Sequence, residues 1–191
     1  MRLAVERFKV IDKAPVFIQH IKKECKESGS GMRTFVFLKL FLACCVSLSA
    51  GLVGALFMGN KDVSNWYEYL RKPFFTPPNW VFGPAWTALY ILMGVAVFLV
   101  WQKGTANRYV KVALVLFAIQ LVLNALWTPL FFRLHMIGLA LVEIIILWIF
   151  VLATTVSFYG VSKLACVLFC PYLAWLSFAV ALNGSIWWLN R

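Results

Sequence analysis

The stretch Trp66 to Gly94, WYEYLRKPFFTPPNWVFGPAWTALYILMG, carries a proline-broken polar loop straight into an apolar helix of membrane grade. Its 29 residues hold three of the nine Trp (Trp66, Trp80, Trp86), four of the seven Pro (Pro73, Pro77, Pro78, Pro84) and the adjacent cations Arg71 and Lys72. Pro73, Pro77 and Pro78 fix φ and push the residues before them towards extended geometry. Leu70 to Asn79 is therefore expected to be a stiff extended connection that loses little entropy on docking. In the helix that follows, the spacing of Phe82, Trp86 and Tyr90 places three rings on one face. A headgroup-level aromatic belt accounts for Trp66, Tyr67, Tyr69 and Trp80. It does not account for Trp86, which lies about 9 Å deeper than Trp80 at ~1.5 Å per residue, a depth suited to lining a pocket.

Composition sets the class around this stretch. The chain has 191 residues, 63% of them hydrophobic and 13% charged, with a mean hydropathy of +0.85. An ordinary soluble domain carries about 25% charged residues, so these values predict an all-α membrane protein. A net charge of +11 in a soluble chain would suggest nucleic acid. Here the cations flank apolar runs, where topology and anionic lipid explain them, and the lipid bilayer rather than nucleic acid is the expected partner. The five Cys (Cys25, Cys44, Cys45, Cys166, Cys170) show no metal-type spacing. They are expected as reduced thiols, with no metal site.

Residues 1–31 form a basic extension, expected to be disordered or to lie on the membrane surface. Residues 1–34 carry eight Lys/Arg with four Asp/Glu, and Pro15 interrupts any helix there. Acids are scarce in an ordinary transit peptide. The run Ser28 to Gly31 reads as a flexible linker. Residues 32–191 then form the membrane domain, with apolar spans at Phe35 to Met58, Trp80 to Gln102, Tyr109 to Phe132, Met136 to Phe158 and Leu164 to Leu189. As helices these reach about 35 Å or more, against a hydrocarbon core of ~30 Å. The short connections at Lys103 to Arg108 and Arg133 to His135 demand antiparallel neighbours, and a bundle of five transmembrane helices is predicted. Thirteen Lys/Arg fall on the N-terminal side of the membrane and five on the other. In a bacterial membrane this places the N-terminus inside and the 66–79 loop outside.

Lipid offers polar side chains no partners, so those inside the spans need an account. Glu143 lies about a third of the way along the fourth span. It reads either as a functional group or as a neutral carboxyl hydrogen-bonded to a neighbouring helix or wetted near the interface. Gln120 and Asn124 share a face with Trp127, as helix-to-helix glue or as the polar anchor of a pocket. Gly51 and Gly54 permit close packing of the first span. In the last span Trp175, Phe178 and Ala179 share a face that Asn183 and Trp187 extend. No catalytic triad, paired carboxylates, phosphate loop or metal cluster can be assembled, and both His (His20, His135) fall outside the spans.

The run from Trp66 through KP, PP and FGPAWT to Met93-Gly94, with NALW at Asn124 to Trp127, PYLAWLSFA at Pro171 to Ala179 and Leu182 to Trp187, resembles the translocator-protein family. That family is also called the tryptophan-rich sensory proteins (TspO) or the peripheral benzodiazepine receptor. The resemblance covers about Met32 to Arg191. It implies a five-helix membrane protein, usually a homodimer, in a bacterial cell membrane or a mitochondrial or other organellar outer membrane. A pocket roofed by the first long loop would bind porphyrins such as protoporphyrin IX and haem, synthetic benzodiazepine-site drugs and, in animals, cholesterol. By motif position Trp86, Asn124, Trp127, Trp175 and Ala179 would line this pocket, with Trp66 and Tyr67 in the lid. Glu143 matches a position where relatives tend to carry an acid. The animal sterol motif needs Tyr followed by Arg, whereas LNGSIWWLNR here has no Tyr, which weighs against sterol transport.

The chemistry of the residues agrees with a flat tetrapyrrole ligand. Such a disc wants rings for stacking, here Phe82, Trp86, Tyr90 and Trp175, with polar anchors and cations for its propionates. Arg71 and Lys72 supply cations, or else snorkel at the interface. With no His inside the spans to act as an axial ligand, the metal-free porphyrin fits better than haem, and no cofactor is expected beyond the porphyrin as ligand or substrate. Three functions remain open: a porphyrin sensor or transporter; an enzyme degrading protoporphyrin IX with light and oxygen, with Trp86 and Trp175 in radical chemistry; and a sterol-binding protein or membrane scaffold.

Overall fold

In lipid every backbone N–H and C=O must be satisfied within the protein, so long apolar runs become helices. The computed structural model describes residues 30–58 and 66–191. The order is α1 (Ser30–Met58), α2 (Asn79–Trp101), α3 (Arg108–Thr128), a π-helical turn (Pro129–Arg133), α4 (Ile137–Val161) and α5 (Lys163–Leu189), with no strand among the described residues. The five helical spans are each long and apolar enough to cross a membrane. The extension over residues 1–29 and the loop's first part, 59–65, lie outside the described residues. Ser30 and Gly31, expected in a linker, belong to α1.

Local chemistry sets the ends. Gly104, at φ 86°, supplies the left-handed residue after α2. The Asn107 side chain caps α3 by accepting from the Tyr109 N–H at 2.9 Å. Ser162 alone joins α4 to α5: its extended backbone stops one helix and its hydroxyl accepts from Ala165 N–H to start the next. Pro84 and Pro171 are both accommodated inside helices.

Helix α5 packs on α4 and α2, α4 packs on α3, and α2 meets α3. Residues 42–58 of α1 close on this group through glycine. A Cβ at Gly94 would stand 2.6 Å from the Cys44 Cα, Gly51 abuts the Tyr90 ring, and Gly54 abuts Thr128. The small-residue packing read from the first span is thus present. Residues 34–41 form the start of α1 and expose Phe35, Phe37, Leu38 and Phe41. The group from 42 to 191 is apolar outside, and its largely apolar interior also holds polar groups: Val122, Ile149 and Val156 are exposed, while Gln120, Asn124, Glu143, Thr154 and Asn183 are buried. Hydroxyls of Ser47, Thr154 and Thr155 donate to carbonyls one turn back, the local solution available to them in an apolar helix.

The third span departs from a regular helix at Pro129. Proline has no N–H to donate, and the chain widens, so that Leu134 N–H bonds Pro129 O at 2.9 Å and Met136 N–H bonds Leu130 O at 3.1 Å. Both Phe131 and Phe132 are thereby buried in one core with Ala140, Leu182 and Ile186.

The loop runs through a helical turn at residues 66–69, then non-helical backbone to α2 with a turn in which Thr76 N–H bonds Pro73 O at 3.1 Å. The absence of helix expected from Leu70 to the start of α2 is found, and the turn at Pro73 interrupts the extended run expected there. Its anchor is Asn190, just past α5. The amide donates to Arg71 O at 2.9 Å and to Ile186 O at 2.8 Å, and its oxygen accepts from Arg71 N–H at 3.0 Å.

Gly94→Val is expected to lower stability in detergent by about 1–3 kcal/mol, the usual cost of overpacking. Gly83→Ala, where an added Cβ meets nothing within 4 Å, should be neutral or stabilising by up to about 1 kcal/mol. Thermal melts of the two variants side by side check the contrast. Asn190→Ala removes both bonds to Arg71 and is expected to speed hydrogen exchange at the Arg71 amide about thirtyfold, taking ~1 kcal/mol for each of the two lost bonds. Unchanged exchange would show that the latch does not hold the loop.

Candidate functional site

Between α2 and α5 the predicted rings meet. Trp86 stacks on Tyr90 with centroids 5.5 Å apart and stands edge-on to Tyr172 at 6.1 Å. Phe82 meets Trp175 edge-on at 6.1 Å, Trp175 touches Phe178 at 5.7 Å, and Phe178 reaches Phe75 of the loop at 6.1 Å. The spacing of Phe82, Trp86 and Tyr90 thus delivers one ring face, and Trp86 is partly buried against two phenols, whereas Trp80 is 74% exposed as a belt residue should be. Ala179 is half-buried beside Phe178.

The polar centre is Asn124. Its Oδ1 accepts from the Tyr90 hydroxyl at 2.6 Å and its Nδ2 donates to the Tyr172 oxygen at 2.9 Å, tying α2, α3 and α5 together. The bonds of the helix-to-helix reading are formed, at the edge of the aromatic array. Tyr172 is fully buried and within electrostatic reach of the Glu143 carboxyl.

The loop residues sit on the core around the π turn. Trp66 stacks on His135 at 4.1 Å and meets Phe131 edge-on at 5.7 Å. Tyr67 packs on Phe131 and Phe132, and Trp127 stacks on Phe131 at 5.0 Å. The belt reading therefore fails for Trp66 and Tyr67, which turn inward, while Tyr69 at 87% exposure fits it. Burial raises the Tyr67 hydroxyl pKa, so the ring stays a neutral phenol. The Lys72 ammonium lies 4.4 Å above that ring and donates to Glu68 O at 3.4 Å. Arg71 is held by its backbone, and its side chain is exposed.

Several interior polar atoms have no hydrogen-bond partner among the described residues: both oxygens of Glu143, the amides of Gln120 and Asn183, and the Trp127 indole N–H. The expected bond from Glu143 to a neighbouring helix is absent, and the residue is buried at 8% exposure rather than wetted. Such groups are costly in an apolar interior. They are the acceptors and donors that a bound molecule would find unused.

Tyr172, Phe131 and Asn190 were not singled out by sequence. A phenol beside Pro171 in mid-span was the available signal for Tyr172, since a buried hydroxyl needs a partner. Phe131 and Asn190 carried none, because their roles depend on the π turn and on a contact 119 residues away in sequence.

The TspO/MBR family profile matches residues 41–189. The chain is 46% identical to the tryptophan-rich protein TspO of Archaeoglobus fulgidus over 80% of this chain and 97% of the relative. It is 43% identical to the translocator protein of Homo sapiens over 71% of this chain and 80% of the relative. Identity to protein CrtK of Rhodobacter capsulatus is 39%, over 83% and 95%. Five membrane-length helices, an aromatic array between α2 and α5, and a match across most of the chain lead to one conclusion: this is a multi-pass integral membrane protein of the TspO/MBR family.

Proposed function

We propose that the chain binds a planar, aromatic, hydrophobic ligand of the tetrapyrrole class, protoporphyrin IX first, between α2 and α5 under the loop, as a sensor or transporter. The observation that carries this is the coincidence of two ring groups along α2 and α5, Phe82 with Trp175, Phe178 and Phe75 of the loop, and Trp86 with Tyr90 and Tyr172, with interior polar atoms left unpartnered at Trp127, Glu143 and Asn183. Stacking faces and spare hydrogen-bonding groups are what a flat disc with polar edges uses. The names of the relatives, translocator and tryptophan-rich sensory protein, agree with it.

Trp86, Trp175, Phe82 and Tyr90 supply the faces. Trp66 and Tyr67 belong to the lid, and Asn124, Trp127, Glu143 and Ala179 to the floor and wall. The rings now touch one another at 5.5–6.1 Å, a single stacking distance. Admitting a disc means parting them by a second such distance, and the loop that Asn190 ties down is the segment that must yield. Arg71 and Lys72 at the loop face the propionates, Lys72 by leaving the Tyr67 ring.

One observation favours a second reading, light- and oxygen-dependent degradation of the porphyrin. Trp86 touches two phenols, Tyr90 and Tyr172, so an indole, the more readily oxidised ring, has oxidisable neighbours.

Trp86→Phe keeps an aromatic of similar reach and should weaken stacking by about 1 kcal/mol, leaving protoporphyrin affinity within about tenfold, one step of ~1.4 kcal/mol. Fluorescence titration measures this. Illumination of the wild type with protoporphyrin IX in air then separates the readings. A defined tetrapyrrole product that disappears in Trp86→Phe supports the enzyme, and no product supports the sensor or transporter. An unaltered affinity in Trp86→Ala would remove this helix face from the site. Glu143→Gln preserves shape and an acceptor, and is expected to retain both fold and porphyrin binding. Loss of binding with the melting temperature intact would make the carboxyl itself a ligand contact.

A further inference from the structure

At the end of the helices opposite the 66–78 loop, where the 102–107 connection and Ser162 lie, α3 and α4 leave an open-sided trough of about 480 Å³ lined by Arg108, Tyr109, Val112, Val156, Ser157 and Gly160. It is separate from the ring array between α2 and α5. Its walls face outward: Tyr109 is 74% and Val156 65% exposed. Gly160 opens the trough, since a Cβ there would meet nothing within 4 Å. The apolar walls form a slot for hydrocarbon, and one cation, Arg108, lines it with the phenol of Tyr109 beside it.

Among the described residues, the charge around the trough has one sign. Lys103, Lys111 and Lys163 join Arg108 at this end. The acids among the described residues are Glu68, in the loop at the other end, and Glu143, in the half of α4 nearer that loop. The Arg108 guanidinium accordingly has no carboxylate to pair with among the described residues. Arginine binds phosphate oxygens through two parallel N–H groups, and basic side chains at a leaflet surface attract anionic headgroups.

We propose that this trough is a binding site for one anionic phospholipid, whose phosphate is held by Arg108 with the neighbouring lysines and whose acyl chain lies along Val112, Val156 and the gap at Gly160. The charge excess at this end, which the positive-inside rule assigns to topology, then also selects lipid. Occupancy fastens α3 to α4 from outside, at a place where no side chain fills the space over Gly160.

The test uses the purified full chain, delipidated in mild detergent, with dioleoyl phosphatidylglycerol or dioleoyl phosphatidylcholine added and bound lipid counted by native mass spectrometry. Phosphatidylglycerol is expected to be retained at least fivefold over phosphatidylcholine. That preference should vanish in Arg108→Gln and in Gly160→Leu, which fills the slot without touching the charge. Val156→Phe narrows the slot from the other wall and should act like Gly160→Leu, so a folding defect in one variant leaves the other to decide. Glycerol 3-phosphate, the headgroup chemistry without chains, should not displace the lipid. Equal retention of both lipids overturns the site. So does wild-type retention in both slot variants, which would leave only surface charge, or displacement by glycerol 3-phosphate, which would leave only a phosphate site.

Discussion

The arrangement depends on one constraint: inside lipid a polar side chain has only other protein groups to satisfy it. Asn124 meets this by bonding two phenols at once, Tyr90 on α2 and Tyr172 on α5. Each such interhelical bond is worth about 0.6–2 kcal/mol in a membrane, and its direction matters more than its size. It fixes how α2, α3 and α5 turn about their axes, because any rotation that moved Tyr90 or Tyr172 away would strand a buried amide. Trp86 takes its place from this arrangement, stacked on one of the bonded phenols and edge-on to the other.

A second layer follows from Pro129. A proline near the end of α3 forces a wider turn, and that turn puts two consecutive phenylalanines into the interior where a regular helix would send them in different directions. Phe131 then collects Trp66, Tyr67 and Trp127 around itself. The loop is thus seated by rings at one end and latched by Asn190 at Arg71. Beyond the latch, Pro73, Pro77 and Pro78 restrict the backbone on the way to α2.

The region combines order with unmet polar demand. Glu143, Gln120, Asn183 and the Trp127 indole keep unpartnered atoms close to a well-packed aromatic array. A membrane protein selected only for stability would replace these groups with apolar ones, since an unsatisfied buried polar atom costs about 1–3 kcal/mol. At the far end of α3 and α4 the same imbalance takes another form, cations without acids among the described residues beside an unfilled slot.

Sequence alone determined the number of helices, their antiparallel order, the non-helical course of the proline-rich connection, the face shared by Phe82, Trp86 and Tyr90, and the shared face of Gln120 and Asn124. These follow from hydropathy, connection length and helical periodicity, which are local along the chain. Sequence did not determine which aromatic residues near the interface turn inward, which phenol Asn124 binds, or that Glu143 has no partner. Trp66 and Tyr69 look alike in sequence, yet one stacks on His135 and the other is exposed. The difference comes from a π turn 63 residues further on, and Asn190 finds Arg71 across 119 residues. Only the tertiary structure decided these, because they depend on how helices rotate against each other, and that is set by a few long-range bonds rather than by periodicity.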